Sequence, residues 1–340
     1  MKTSAHLTRI LERASTGTAP SLKDCEYLLG LEENSFEAGL LKAAANVISR
    51  KRFKGRAVVL GQIGLEIAPC PGNCLFCAFG EGHTRLPSGR LSTTDILARA
   101  RNFSRTGDLF ALFLMTMHDF NMERLLTLVR TLRNRLPRQT QIVLNIGDFD
   151  IVRARELRSA GANGAYHILR LREGIDTALN PAARIRTIES IKQAGMNLYY
   201  GCEPVGPEHS PQELAQQIMV GVQYGCFQHC AMRRIAVPGS PLARRGQITE
   251  QRLAQITAVL ALATLECKET RNIAVHEPNL LGLAAGANAI YAETGANPRD
   301  SKAETTTGRG LDIPGCRRMF IESGFESLLR GDGRVVPLVR

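Results

Sequence analysis

The chain has 340 residues, 44% of them apolar and 22% charged, which suits one large α/β barrel or two average domains and excludes wholesale disorder. The formal net charge is +11, yet no run of five basic residues occurs and Trp is absent, so a nucleic-acid tail and base-stacking platforms are disfavoured. No stretch approaches 18 uninterrupted apolar residues and the N-terminus MKTSAHLTRILERASTG has no apolar h-region, so neither a membrane span nor a secretory signal is expected and the location is expected to be cytoplasmic.

Residues 1–56 read as helices placed ahead of the main unit. From there strand and helix signals alternate. Apolar, β-rich runs lie at 57–67, 109–115, 140–146, 164–170, 196–202, 232–237, 272–275 and 288–293. Amphipathic helical stretches separate them at 93–104, 121–135, 150–160, 181–194, 211–223 and 249–265. The helix at 211 opens with Ser210-Pro211 and has Glu213 three residues after Ser210, a capping-box pattern. This alternation predicts βαβ units around a parallel sheet, and eight strand candidates fit a closed (β/α)8 barrel of the TIM type. An open doubly wound sheet is the rival. The organisation expected is an N-terminal helical segment (1–56), a barrel (57–295) and a C-terminal extension (296–340). The extension holds the end of a polar segment (293–310), a short helix near 314–324, and GDGRVVPLVR as a loose tail.

Nine cysteines, an odd count, argue against a disulfide framework and for metal or reactive sulfur. Three of them form Cys70-Pro-Gly-Asn-Cys74-Leu-Phe-Cys77, a C-x3-C-x2-C directly after the first barrel strand. Three thiolates on one tight loop can hold three irons of a [4Fe–4S] cube and leave the fourth iron open to a small ligand. Structural zinc is the alternative metal, but it takes four ligands, usually from paired CxxC units, and there is no second CxxC.

The triplet resembles the signature of the radical S-adenosylmethionine (SAM) superfamily. That resemblance implies a cluster whose open iron chelates SAM, at the mouth of the barrel, and a 5′-deoxyadenosyl radical that abstracts a substrate hydrogen. Phe76 matches the aromatic position beside the adenine. The likeness extends over nearly the whole chain to the biotin-synthase-like branch, through GLEIAPCPGNCLFCAF, YHILRLREGIDT, VPGSPLARRG and AAGANAIYAETGANPRD. Within it, CEPVGPEHSPQEL and HEPNLLGLAAGAN look most like the two-protein lipoyl synthases. Two departures stand out. Strands two and three carry no cysteine, unlike biotin synthase, and Thr116-Met117-His118-Asp119 replaces the usual Gly-Gly-Glu. His118 or Glu173 is therefore expected to meet the SAM amino group, with Arg172 and Arg186 as partners for its carboxylate and ribose.

The resemblance also implies an auxiliary iron–sulfur cluster as sulfur source. Cys202 ends strand five, across the mouth from strand one, and Cys316 follows strand eight, so these two are the expected ligands. Cys226 and Cys230 read as lying at the bottom of the barrel, while Cys25 and Cys267 read as small core residues. His276 and Glu277 follow strand seven at the mouth, and one of Arg233 and Arg234 is expected to enter the barrel. The activity implied is sulfur insertion into an octanoyl chain on an acidic carrier, an H protein or a lipoyl domain. A homologous partner enzyme and an electron donor such as ferredoxin or flavodoxin are expected, and no nucleic acid or membrane. The alternatives are another biotin-synthase-like enzyme (an unusual biotin synthase or a hydrogenase-cofactor maturase), a non-enzymatic iron–sulfur protein, and a basic RNA-modifying radical SAM enzyme.

Overall fold

The structure, a computed structural model, describes residues 3–295 and 311–339. Eight parallel strands among the described residues close into a barrel: β1 (Arg56–Gly64), β2 (Leu109–Met115), β3 (Gln141–Asn145), β4 (Gly164–Tyr166), β5 (Asn197–Val205), β6 (Gln228–Arg233), β7 (Asn272–His276) and β8 (Ala289–Gly295). They pair in chain order, and β8 returns to β1 with Leu60 opposite Tyr291 and Gln62 opposite Glu293. The open doubly wound sheet is thereby excluded, and the fold is a TIM-type (β/α)8 barrel.

Alternation along each strand divides the apolar residues into two cores. Leu60, Ala111, Phe113, Val143, Tyr199, Cys230, Ala274, Ala289 and Tyr291 pack inside the barrel. Their neighbours, such as Val59, Leu112, Leu144, Leu198 and Ile290, pack outward against the helices. Those helices include α4 (Thr93–Ser104), α5 (Met122–Arg133), α6 (Ile151–Ala160), α7 (Pro181–Gln193), α8 (Pro211–Gln223) and α9 (Glu250–Ala263), close to the stretches read from periodicity. Ser210 and Glu213 form the expected capping box on α8. The three N-terminal helices, Ala5–Ser15, Leu22–Leu29 and Phe36–Arg52, lie on the outside of α8 and α9, where Gln255 Nε2 donates to Leu28 O at 2.9 Å. No helix among the described residues is long and apolar enough to cross a membrane.

Two expectations are corrected here. The sixth strand is Gln228–Arg233, four residues earlier than the run 232–237. The last residues are not a loose tail. Ser327–Leu329 adds to the start of β1 in parallel, and Val335–Pro337 pairs back on it antiparallel. Arg330 Nε donates to the buried Asp108 carboxylate at 2.9 Å, and Arg317 joins it at 3.2 Å. Residues 296–310, most of the expected polar segment, lie outside the described residues.

Candidate active site

The loop that leaves β1 carries the three cysteines across the C-terminal ends of the strands, the end of such a barrel where function sits. Its curl is set by backbone bonds: Cys70 N donates to Phe79 O (2.8 Å), Asn73 N to Cys70 O (3.0 Å) and Cys77 N to Cys74 O (2.9 Å). Asn73 takes a left-handed φ of 41°, a conformation that Asn tolerates better than most side chains. Neighbouring loops brace it, with Leu75 N on Asp176 O, Ala178 N on Gly72 O and Leu242 N on Leu75 O.

The three thiols line one cavity of about 210 Å³. The His118 backbone N–H points at Cys70 Sγ over 3.4 Å. That approach needs Gly147, because a Cβ there would sit 1.7 Å from His118 O. Burial pushes the Cys74 thiol up to about 12, and the Arg170 guanidinium pulls the other way. A buried thiol becomes a thiolate when a cation compensates it, and an N–H donor and a guanidinium are the surroundings that favour one. The donor set thus fits an iron–sulfur cube held at three corners.

One wall of the cavity is a belt of alternating charge. Asp148 takes Arg184 Nη1 at 2.8 Å, with His167 Nε2 at 3.1 Å and His118 Nε2 at 3.8 Å. His167 Nε2 makes no well-aligned hydrogen bond, so its approach to Asp148 is a charge–dipole contact. Arg184 Nε reaches Glu173 at 3.6 Å, Glu173 reaches Arg170 at 3.9 Å, and Arg170 reaches Glu203 at 3.6 Å. Tyr166 donates to Glu203 and touches Cys230 Sγ at 3.4 Å. Burial opposes charge on Asp148, but His167 and Arg184 overcome it and hold the carboxyl far below the carboxylate range. His167 is lowered by burial to about 3 and stays neutral.

Phe76 and His118 line the cavity with the triplet, and so does His276, which bonds Glu293 at 2.7 Å. Arg172, Glu173 and Arg186 do not. Arg172 pairs with Asp176 at 3.0 Å, Arg186 is exposed, and Glu173 is buried behind the wall, accepting from Arg170 N and Thr177 Oγ1. Arg170 and Arg184, each two residues earlier, take the lining positions. The structure does not bring Cys202 and Cys316 to the mouth. Cys202 faces outward from β5 against α8, near Leu214 O. Cys316 is sealed in the outer core on the helix Ile313–Glu322. Cys230, by contrast, points into the barrel because β6 starts earlier than expected. Arg233 and Arg234 lie at and beyond that strand's end and pair with Glu277 and Glu208, so neither enters the lumen. Asp148, Arg170, Arg184, Glu203 and Tyr166 were not singled out from the sequence.

No protein-family model matches the chain. It is 29% identical over 174 residues to a biotin synthase of Carboxydothermus hydrogenoformans, covering 48% of this chain and 53% of that protein. It is 24% identical over 282 residues to a biotin synthase of Magnetococcus marinus, covering 78% and 86%. Thus the alignment spans about half the length of the first relative and most of the second. Among solved structures, methylornithine synthase (PylB) superposes with a TM-score of 0.78 at 19% identity, over 93% of this chain and 96% of that one. The FeFe-hydrogenase maturase HydG from Carboxydothermus hydrogenoformans gives 0.75 at 16% identity, over 94% and 78%.

A closed (β/α)8 barrel with a three-cysteine loop at its mouth, together with these relatives, indicates a radical SAM enzyme. Within that superfamily the relatives point to the biotin-synthase-like branch, and radical SAM homologues imply a [4Fe–4S] cluster and SAM.

Proposed function

We propose that the protein is a sulfur-inserting radical SAM enzyme, one half of a two-protein lipoyl synthase acting on an octanoyl chain. The carrier is an acidic H protein or lipoyl domain, consistent with the +11 charge of this chain. The observation that supports this substrate best is the wall facing the cysteine loop. Phe113, Met115, Met232, Val237 and Tyr291 line it. The lining guanidiniums and the Glu203 carboxylate lie on the other wall and are paired within the protein, so the wall of these apolar side chains offers a substrate mostly hydrocarbon.

When bound, the cluster and SAM supply reductive cleavage of the sulfonium and a 5′-deoxyadenosyl radical able to take hydrogen from an unactivated carbon. Cys70, Cys74 and Cys77 would hold the cube, and the His118 N–H, which points at Cys70 Sγ, would stabilise that sulfur as a thiolate. Arg170 and Arg184, kept charged by Glu203 and Asp148, orient the carboxylate and hydroxyls of the nucleotide. The aromatic and thioether side chains exclude water from the reacting carbon. A ferredoxin or flavodoxin provides the electron, and a homologous enzyme completes the second insertion.

A second reading is favoured by the outward placement of Cys202 and Cys316: a biotin-synthase-like enzyme with one cluster that converts a small molecule. Anaerobic incubation with SAM, reductant and an octanoylated carrier peptide separates the two. A mass gain of one sulfur on the peptide is the expected result. Unchanged peptide, in a preparation that cleaves SAM and holds about four irons rather than about eight, overturns sulfur insertion in favour of the second reading.

A further inference from the structure

The lumen beneath the cavity is closed by aromatic rings. Phe113 is their hub, with edge-on contacts to Tyr199 and Tyr291 at 5.2 Å each and to Tyr166 at 6.2 Å between ring centres. It is 1% exposed and still lines the cavity, so it forms the lowest surface a ligand can reach on β2. The layer below mixes alanines with Leu60, Val143 and Tyr199. Inward positions repeat every second residue. Under Phe113 comes Ala111, under His276 comes Ala274, and under Tyr291 comes Ala289. The Tyr291 ring is fixed, because Gln228 Nε2 donates to its hydroxyl at 2.6 Å. Phe113 has no polar anchor and is held by packing alone.

We propose that Phe113 is the gauge of substrate length: its ring stops a straight hydrocarbon chain that enters the lumen methyl end first. The inference rests on the acyl-chain reading and deepens it. An acyl group bound to a carrier protein has only its methyl end free to enter a closed-bottomed barrel. The depth of the floor therefore decides how many carbons lie beyond the reacting position. Trimming the phenyl ring deepens the cavity by about the ring's own volume, down to a layer where Ala111, Ala274 and Ala289 lie beside Leu60, Val143 and Tyr199.

The test uses cluster-reconstituted, full-length protein and lipoyl-domain peptides acylated with six, eight, ten or twelve carbons. Binding is measured by calorimetry and turnover by 5′-deoxyadenosine release, for wild type, Phe113→Leu and Phe113→Ala. In wild type, affinity rises with chain length and stops at eight carbons. In the variants the rise continues, at about fourfold per added methylene, so the ten-carbon peptide binds about 15-fold more tightly than the eight-carbon one. Phe113→Leu keeps the test sound if the alanine variant does not fold. An unchanged eight-carbon limit in a folded variant overturns the gauge and leaves the acyl reading standing. If wild type and variants bind acylated and unacylated peptides equally well, the acyl reading itself falls.

Discussion

Replacing Asp148 with Ala tests whether the charge belt positions the mouth. Arg184 is 3% exposed and gives Asp148 its shortest contact, at 2.8 Å. Without it, the guanidinium keeps one bond, from Nε to Ile168 O at 3.1 Å, and the longer approach to Glu173 at 3.6 Å. Losing a charge-assisted bond at a buried arginine costs about 1.5–3 kcal/mol, and the lower end applies because water reaches the Asp148 side. At about 2.1 cal/mol/K of unfolding entropy per residue, the melting temperature of a 340-residue chain drops by about 2–4 °C. The effect on function is larger. Arg184 and His118 both line the cavity, and a lining group displaced by an ångström costs up to about 100-fold in rate. We expect 5′-deoxyadenosine formation to fall by about 10–100-fold with a raised KM for SAM, and Asp148→Asn, which keeps an acceptor, to fall in between. The pH dependence follows from the sign of the shift. A carboxyl held below its ordinary value stabilises the fold fully above that value, near pH 4, and loses the contribution as the pH falls through the depressed one. The gap in melting temperature between wild type and Asp148→Ala is therefore level from pH 5 upward and narrows in acid. Equal melting curves at pH 7 together with unchanged SAM kinetics would refute a positioning role for the belt.

Three further outcomes are expected. Serine in place of Cys70, Cys74 or Cys77 removes the cluster's visible absorbance and abolishes SAM cleavage, whereas Cys202→Ala and Cys316→Ala keep the wild-type iron content. Loss of about four irons from either of the latter would place that thiol on a second cluster. Gly201→Ala sets a Cβ 2.7 Å from Cys230 Sγ, which costs about 1–3 kcal/mol by overpacking. Adding Cys230→Ala should recover most of it in denaturant titrations, and strictly additive losses would show that the strain lies elsewhere. Ending the chain at Leu329 removes Arg330 from a carboxylate that is 2% exposed and strips the last strand. A loss of about 2–3 kcal/mol is expected from calorimetry, and no loss would mean that the terminal strands carry no stability.

Helices and apolar strands were legible in the sequence because their burial is one-sided and periodic. What failed to show is fully buried polar residues on a strand, facing the lumen or the helices. Gln228 and His229 look unlike strand residues, yet both are fully buried, Gln228 donating to Tyr291 and His229 bonding Ile218 O. Hydropathy alone therefore starts β6 four residues late and turns Cys230 from a lumen residue into one at the barrel's foot. A similar slip affects the arginines. On α7 the buried face runs through Arg184, Thr187, Ile188 and Ile191, so Arg186 faces water, and the spacing of those apolar residues was the available signal. The tail carried a signal too: Asp332-Gly333 between Leu328-Leu329 and Val335-Val336 is a hairpin pattern. Strand β5 runs on to Val205, so Cys202 lies three residues short of its end rather than at it, and on the outward face. Its parity with Leu198 and Tyr200, both outward, would have settled it.

The division of the cavity into a charged wall and an apolar wall explains why so basic a protein carries so many carboxylates at its mouth. The Arg184 side chain is 3% exposed and that of Arg170 20%, and a guanidinium so far withdrawn from water is costly without a counter-charge. Glu173, Glu203 and Asp148 supply that counter-charge from three different barrel positions. Each carboxylate therefore ties one loop to the next, and the belt holds the strand ends at fixed spacing around the cysteine loop. A zwitterionic nucleotide suits that wall, because its charges meet dipoles and ions already oriented. The opposite wall, on β1, β2, β6 and β8, has its polar groups turned on one another: Gln62 donates to Glu293, and Glu293 bonds His276. With those groups satisfied, the surface left toward the lumen is ring and thioether. On the proposed reading this separation has a chemical purpose. A carbon radical formed against that wall faces mostly ring and thioether C–H bonds, which give up hydrogen less readily than a thiol, and this favours its capture by sulfur brought to it.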